Sequence, residues 1–216
     1  MIEVAISGKS FGPARVLGKI RFRIAAGETV ALVGPSGIGK STLLRIVAGI
    51  DRAFEGTVTA PDDIAMVFQE PTLLPWRTAV RNLTLIHPAI GPDAAREMLA
   101  RVGLAGTDDL FPGQLSLGQR RRLALARAFA GRPRFLIMDE PFVSLDAAVA
   151  EEMIALTERL IAETGPATLF VTHARAEADR LADRILTLSG RPARVQASDT
   201  GRGGAAPAGR SGRGRS

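Results

Sequence analysis

Apolar residues in this chain come in short unbroken runs separated by longer amphipathic stretches. Val30 to Val33, Phe135 to Met138 and Leu169 to Val171 each run without a polar interruption. Runs of that length without alternation predict strands buried on both faces, the habit of a parallel sheet. The same criteria predict strands over residues 3–6, 20–25, 29–33, 56–59, 64–68, 135–138, 168–172 and 184–188. Helices are predicted to start near Lys40, Pro92, Leu117, Ala147 and Ala174. Strands alternating with helices imply a mostly parallel sheet covered on both faces. The first strands look antiparallel and suggest a small N-terminal β-subdomain. Residues 71–131 carry weak strand signals and read as a helical insert.

The strand at 29–33 runs directly into Gly34, Pro35, Ser36, Gly37, Ile38, Gly39, Lys40, Ser41 and Thr42, and then into an amphipathic helix. Strand, glycine-rich turn and helix in that order form a phosphate-binding loop. Its glycines let the backbone bend round a polyphosphate with the N–H groups pointing inward, and the helix N-terminus adds partial positive charge. Lys40 is placed to reach the β- and γ-phosphates and the Ser41 hydroxyl to hold Mg²⁺. The fold class expected is therefore α/β: a P-loop NTPase with a mostly parallel sheet, an N-terminal antiparallel β-subdomain and a helical insert subdomain.

A second short strand, 135–138, ends in Asp139 and Glu140. Ligands of open parallel sheets bind at the carboxyl ends of strands. Asp139 is expected to join the Mg²⁺ shell, and Glu140 to orient or deprotonate the attacking water. Ser116 and Gln119 form a capping box before a helix. The box does not explain Gly118 in the first turn, where glycine costs roughly 1 kcal/mol relative to alanine. A backbone that must approach an anion does explain it, which makes Ser116 and Gly118 a second phosphate-contacting helix end.

Composition narrows the field. The chain has 216 residues, 46% of them hydrophobic, and no run approaches the ~18 apolar residues of a membrane span. The first residues alternate like a strand, so no secretory signal is visible. There are no cysteines, which excludes disulfides and thiolate metal sites. The formal net charge is +6, part of it in residues 197–216, where Arg202, Arg210, Arg213 and Arg215 stand among Gly, Ala and Ser. That segment is expected to be a disordered tail, because it cannot bury enough apolar surface to offset its ordering entropy.

The set of motifs resembles the nucleotide-binding subunit of ATP-binding-cassette (ABC) transporters. Residues 34–42 resemble Walker A, 115–119 the signature, 135–140 Walker B, 144–146 the D-loop and 172–173 the switch histidine. The resemblance covers nearly everything but the tail. It implies one cassette over 1–196, with ATP and Mg²⁺ as cofactors. It makes Gln69 a Mg²⁺ and water sensor, and it makes His173 a γ-phosphate contact. Asp146 becomes a residue crossing a dimer interface, and Phe11 the aromatic that stacks on adenine. Leu117 stands where the family more often has glycine. The resemblance also implies a second cassette, most simply an identical one, whose signature completes the ATP site. It implies separate permease subunits, a periplasmic solute-binding protein acting through them, and a peripheral position on the cytoplasmic face of the inner membrane. Residues 71–78, with Leu73, Leu74 and Trp76, are equally readable as a permease-docking groove or as internal packing. Details around Gln69 and Pro141 resemble importers of nitrate, sulfonate or taurine type. No nucleic-acid partner is expected. The alternative is a non-transport ABC ATPase acting on nucleic acid or ribosomes, for which the basic tail is the only feature in favour. The signature and His173 argue against a P-loop kinase or GTPase.

Overall fold

The computed structural model describes residues 1–200. Its centre is a six-stranded sheet in the order β10-β9-β4-β8-β7-β6. The strands are β4 (Thr29–Val33), β6 (Ile64–Val67), β7 (Phe135–Asp139), β8 (Ala167–Thr172), β9 (Arg184–Ser189) and β10 (Arg194–Thr200). All neighbours are parallel except the β9–β10 pair. A second, antiparallel sheet pairs β1 (Ile2–Phe11) with β2 (Ala14–Leu17), β3 (Ile20–Ile24) and β5 (Glu55–Thr59).

The parallel strands are apolar throughout because they feed two cores at once. Val30, Leu32, Phe135, Ile137, Leu169 and Val171 point to one face. There they meet helix α1 (Lys40–Val47) and the inner residues of the antiparallel sheet, such as Ile2, Val4 and Ile24. Ala31, Leu136, Met138 and Phe170 point to the other face. They meet α4 (Leu117–Ala130), α5 (Ala147–Thr164) and α6 (Arg175–Leu181), and with them α2 (Ala79–Thr84) and α3 (Pro92–Arg101). The period of two along a strand divides one apolar run between both layers.

The expected insert is present as α2, α3, a 3-10 turn at Pro112–Gln114 and α4, joined by loops rather than helical throughout. Helix α4 also packs on β6, so it belongs to the sheet layer as much as to the insert. The Asn82 side chain is fully buried and ties down residues 71–78. It accepts from Leu74 N–H at 2.8 Å and donates to the carbonyls of Leu74, Arg77 and Thr78. The loop divides between the two: Leu73 packs against the core, while Trp76 is 65% exposed and takes no part in internal packing. From α4, Arg127 reaches the same loop and donates to Thr72 O at 2.7 Å and Thr72 Oγ1 at 3.1 Å.

Strand β10 runs past the boundary expected at residue 196, pairing Asp199 with Ile185 and Thr200 with Arg184. A backbone ladder on an edge strand does not require an apolar sequence, so composition alone could not place its end. The rest of the expected tail, 201–216, lies outside the described residues. Among the described residues no helix is long and apolar enough to cross a membrane.

Candidate nucleotide-binding and hydrolysis site

Parallel register lines up the ends of four strands. Val33 pairs with Thr172, Val171 with Asp139, and Met138 with Val67. The residues that follow therefore leave the sheet at one edge, side by side: Gly34 after β4, His173 after β8, Glu140 after β7 and, two residues beyond β6, the exposed Gln69. Adjacent strands stand about 4.8 Å apart, so this row is compact.

The loop after β4 takes the shape its glycines allow. Gly37 has φ 73° and Gly39, the N-cap of α1, has φ 108°. At Gly34 a Cβ would stand 2.7 Å from the Leu188 carbonyl oxygen, and at Gly39 one would stand 2.8 Å from Leu17 Cδ2. Strand β2 thus lies against the phosphate loop. Lys40 is 5% exposed. Its ammonium donates to Gly34 O at 2.9 Å and Pro35 O at 3.1 Å, and stands 3.6 Å from Glu140 Oε1. A buried cation held by neutral carbonyls of its own loop has donors ready for a stronger, anionic partner.

Glu140 is held from both sides. Its second oxygen stands 3.3 Å from His173 Nδ1. Its backbone is left-handed, φ 46°, an unfavourable region for a side chain of this kind. The N–H bond to Val171 O at 3.0 Å and the Val143 N–H bond to its carbonyl at 3.3 Å keep it there. The turn that carries His173 is fixed by Thr172, whose hydroxyl donates to Glu177 and accepts from the Ala174 N–H.

Ser41 and Asp139 converge from elements 98 residues apart, with the hydroxyl donating to Asp139 Oδ1 at 3.3 Å. Two hard oxygen groups meeting at the mouth of a phosphate loop suit Mg²⁺. Burial pushes the Asp139 carboxyl above its ordinary value, the Ser41 hydrogen bond opposes that shift, and the neighbouring Glu140 adds to it. Native protein without nucleotide thus holds this proton more tightly than the unfolded chain does. Asp139 therefore subtracts stability as pH rises from its ordinary 3.8 through the raised native value. Asp139→Asn is expected to melt higher than the parent at neutral pH without nucleotide, and to lose that advantage below about pH 4. Magnesium with ATP should then stabilise the parent more than the variant, which keeps the phosphate-loop contacts but lacks one metal ligand. Equal melting temperatures at pH 7 would rule out burial as the governing cause.

Ser116 caps α4 as expected. Its hydroxyl accepts from Gln119 N–H at 3.2 Å and its own N–H donates to Gln119 Oε1 at 2.9 Å. Leu117 is 44% exposed at this tip. A Cβ on Gly118 would meet only Val149 Cγ1, at an ordinary 3.7 Å. Among the described residues nothing demands that glycine. Among the described residues, no hydrogen bond joins Ser116 or Gly118 to the phosphate loop. Asp146 caps α5, accepting from Val149 N–H at 3.0 Å. The ring of Phe11 is exposed at the end of β1.

Two buried cations escaped sequence reasoning. Arg121 is 8% exposed and donates to Pro141 O at 3.0 Å, which joins α4 to the segment after Glu140. Lys9 is 5% exposed and pairs with Asp51. Lys9 could have been marked by its small neighbours Gly8 and Ser10, whereas Arg121 is the middle of three consecutive arginines and nothing local sets it apart from its exposed-looking neighbours.

The pattern of the ABC transporter family matches residues 17–143. The chain is 46% identical over 190 residues to the aliphatic sulfonates import ATP-binding protein SsuB 2 of Rhizobium johnstonii, spanning 87% of this chain and 76% of that protein. It is 42% identical over 203 residues to SsuB 1 of Pseudomonas aeruginosa, spanning 87% and 82%. The fold superposes with a TM-score of 0.79, at 30% identity, on the dimeric ATP-binding cassette MJ0796 in a post-hydrolysis state with ADP and Pi, covering 94% of this chain and all of that one.

Proposed function

This chain belongs to the ABC transporter family and is an ATPase, and we propose that it powers import of a small organic sulfonate through separate permease subunits. The observation that carries the cargo is its similarity to sulfonate-import ATP-binding proteins along almost its whole length. Nitrate, a small anion without a carbon chain, serves as the control, while taurine is itself an aminoalkanesulfonate and falls within the proposed class. The relatives' names favour import over action on nucleic acid or ribosomes. In this reading the cassette extends through the end of β10 at Thr200, with 71–131 as its helical insert, and sits on the cytoplasmic face of the inner membrane. A periplasmic solute-binding protein delivers cargo to the permease.

In the proposed site, the loop amides of residues 34–42 and the Lys40 ammonium bind the phosphates, and Phe11 stacks on the base. Ser41 and Asp139, with Gln69 at the end of the row, hold Mg²⁺, which when bound neutralises charge on the phosphate oxygens. Lys40 exchanges its loop carbonyls and Glu140 for phosphate oxygens. That leaves Glu140 paired only with His173 and free to accept a proton from water. His173 then has the γ-phosphate within its reach. Ser116, Gly118 and Gln119 of a second copy roof the site, and Asp146 lies beside them at the same interface. That arrangement gives Gly118 the purpose it lacks within one chain.

Gly118→Ala is expected to fold normally, with a melting temperature no lower than the parent's, because alanine favours the helix. Its ATP-driven dimerisation should weaken by roughly tenfold, about 1.4 kcal/mol. Unchanged dimerisation, measured by light scattering on hydrolysis-deficient protein, would leave this glycine unexplained. The cargo assignment is tested in vesicles carrying the permease, this chain and the binding protein. ATP-dependent uptake of an alkanesulfonate, and not of nitrate, is expected. Uptake of nitrate alone would reassign the cargo.

A further inference from the structure

Lys9 has surroundings that phosphate chemistry does not explain. It lies on β1 and is nearly covered. Its ammonium donates to Asp51 Oδ1 at 2.9 Å and to Ala53 O at 2.7 Å. The same ammonium stands over the Phe11 ring, 4.6 Å from its centre. Phe11 nevertheless remains 53% exposed. A buried cation is costly unless its donors are satisfied, and here a carboxylate, a carbonyl and a ring share them.

Asp51 is itself anchored. Its N–H donates to Arg45 O at 3.1 Å, on the last turn of α1. Its Oδ1 accepts from Ala53 N–H at 3.0 Å. The Lys9 hydrogen bond holds its carboxyl below the usual range. A continuous chain of contacts therefore runs from the phosphate loop along α1 to Asp51, to Lys9 and to the Phe11 ring. A second tie is steric, where β2 touches the loop at Gly39.

We propose that Lys9 is a positioning residue for the nucleobase: braced to α1 through Asp51, it fixes the Phe11 ring relative to the phosphate loop and so sets the preference for a purine nucleotide over bare polyphosphate. This deepens the reading that Phe11 stacks on the base and rests on it. The geometry supplies two effects. The brace sets one separation between ring and loop, which favours a ligand whose base and phosphates span that separation. The cation over the ring also draws π-density towards itself and improves stacking of an electron-rich purine on the exposed side.

Full-length Lys9→Met, Phe11→Ala and the double variant are titrated with ATP and with inorganic tripolyphosphate by calorimetry, and their steady-state rates are measured. Lys9→Met is expected to weaken ATP binding roughly three- to tenfold. It should leave the tripolyphosphate affinity and kcat at saturating ATP unchanged. In the Phe11→Ala background, Lys9→Met should cost nothing further. Lys9→Arg, which keeps a cation over the ring, should recover most of the loss. Equal weakening of ATP and tripolyphosphate, or the same loss with Phe11 absent, would show a structural brace and overturn the proposal. Unchanged ATP affinity in Phe11→Ala would instead remove the stacking role itself, and the proposal with it. Should Lys9→Met not fold, Asp51→Asn loosens the brace with the cation in place. It should weaken ATP and spare tripolyphosphate, and any other pattern counts against the proposal.

Discussion

Glu140→Gln is expected to hydrolyse ATP at least about a hundredfold more slowly than the parent while binding it as tightly. Amide and carboxylate share a shape, so the left-handed turn at residue 140 and its bonds to Val171 and Val143 should survive. What goes is the basic oxygen. A positioned general base contributes typically about 10² to 10⁴ in rate. Removing one negative charge beside Asp139 and the incoming phosphates also relieves repulsion, so affinity should hold or rise. With ATP no longer consumed, the closed dimer should accumulate, because the ligand that favours it persists. Phosphate release, calorimetry and light scattering read the three effects separately. Hydrolysis near the parent rate would take Glu140 out of the reaction.

Lys40→Ala is expected to lose nucleotide affinity by about a hundredfold or more. The ammonium is nearly fully buried, and its partners in the free protein are two loop carbonyls and one carboxylate at 3.6 Å. A hydrogen bond to a charged group is worth about 1.5–3 kcal/mol, and a lysine on a polyphosphate makes more than one. Alanine also leaves Glu140 facing the phosphates with no cation between them. Titration with ATP and ADP measures the loss. Affinity equal to the parent's would mean that the triphosphate sits elsewhere.

The parts of this fold that the sequence revealed are those with one dominant physical cause. Strand β4 was placed to the residue, and β7 and β8 within one, because both of their faces are buried and an unbroken apolar run has few other uses. The capping box at Ser116 and the cap at Asp146 are local hydrogen bonds that a few neighbouring residues determine. The row of Gly34, His173, Glu140 and Gln69 needed one further step, that parallel strands end together. Strand β2 was missed because of its four residues only Leu17 is buried. Helix α2 is six residues long and carries a fully buried asparagine, which reads as a loop until its four hydrogen-bond partners are known. The left-handed turn at Glu140 and the Lys9–Asp51–Phe11 contacts depend on residues far apart in sequence or on backbone strain. Neither leaves a mark on composition or period.

Helix α4 is a single rod of 14 residues, about 21 Å long. One end is the Ser116 tip, and near the other Arg127 grips Thr72, four residues from the exposed Trp76. Midway, Arg121 clasps the carbonyl beside Glu140. Such a rod cannot tilt at one end alone. In the proposed assembly, a permease pressing on Trp76 would shift the tip offered to a second copy and tug on the segment beside the acid in the same stroke, gearing cargo and fuel to each other without any part of the machine having to melt.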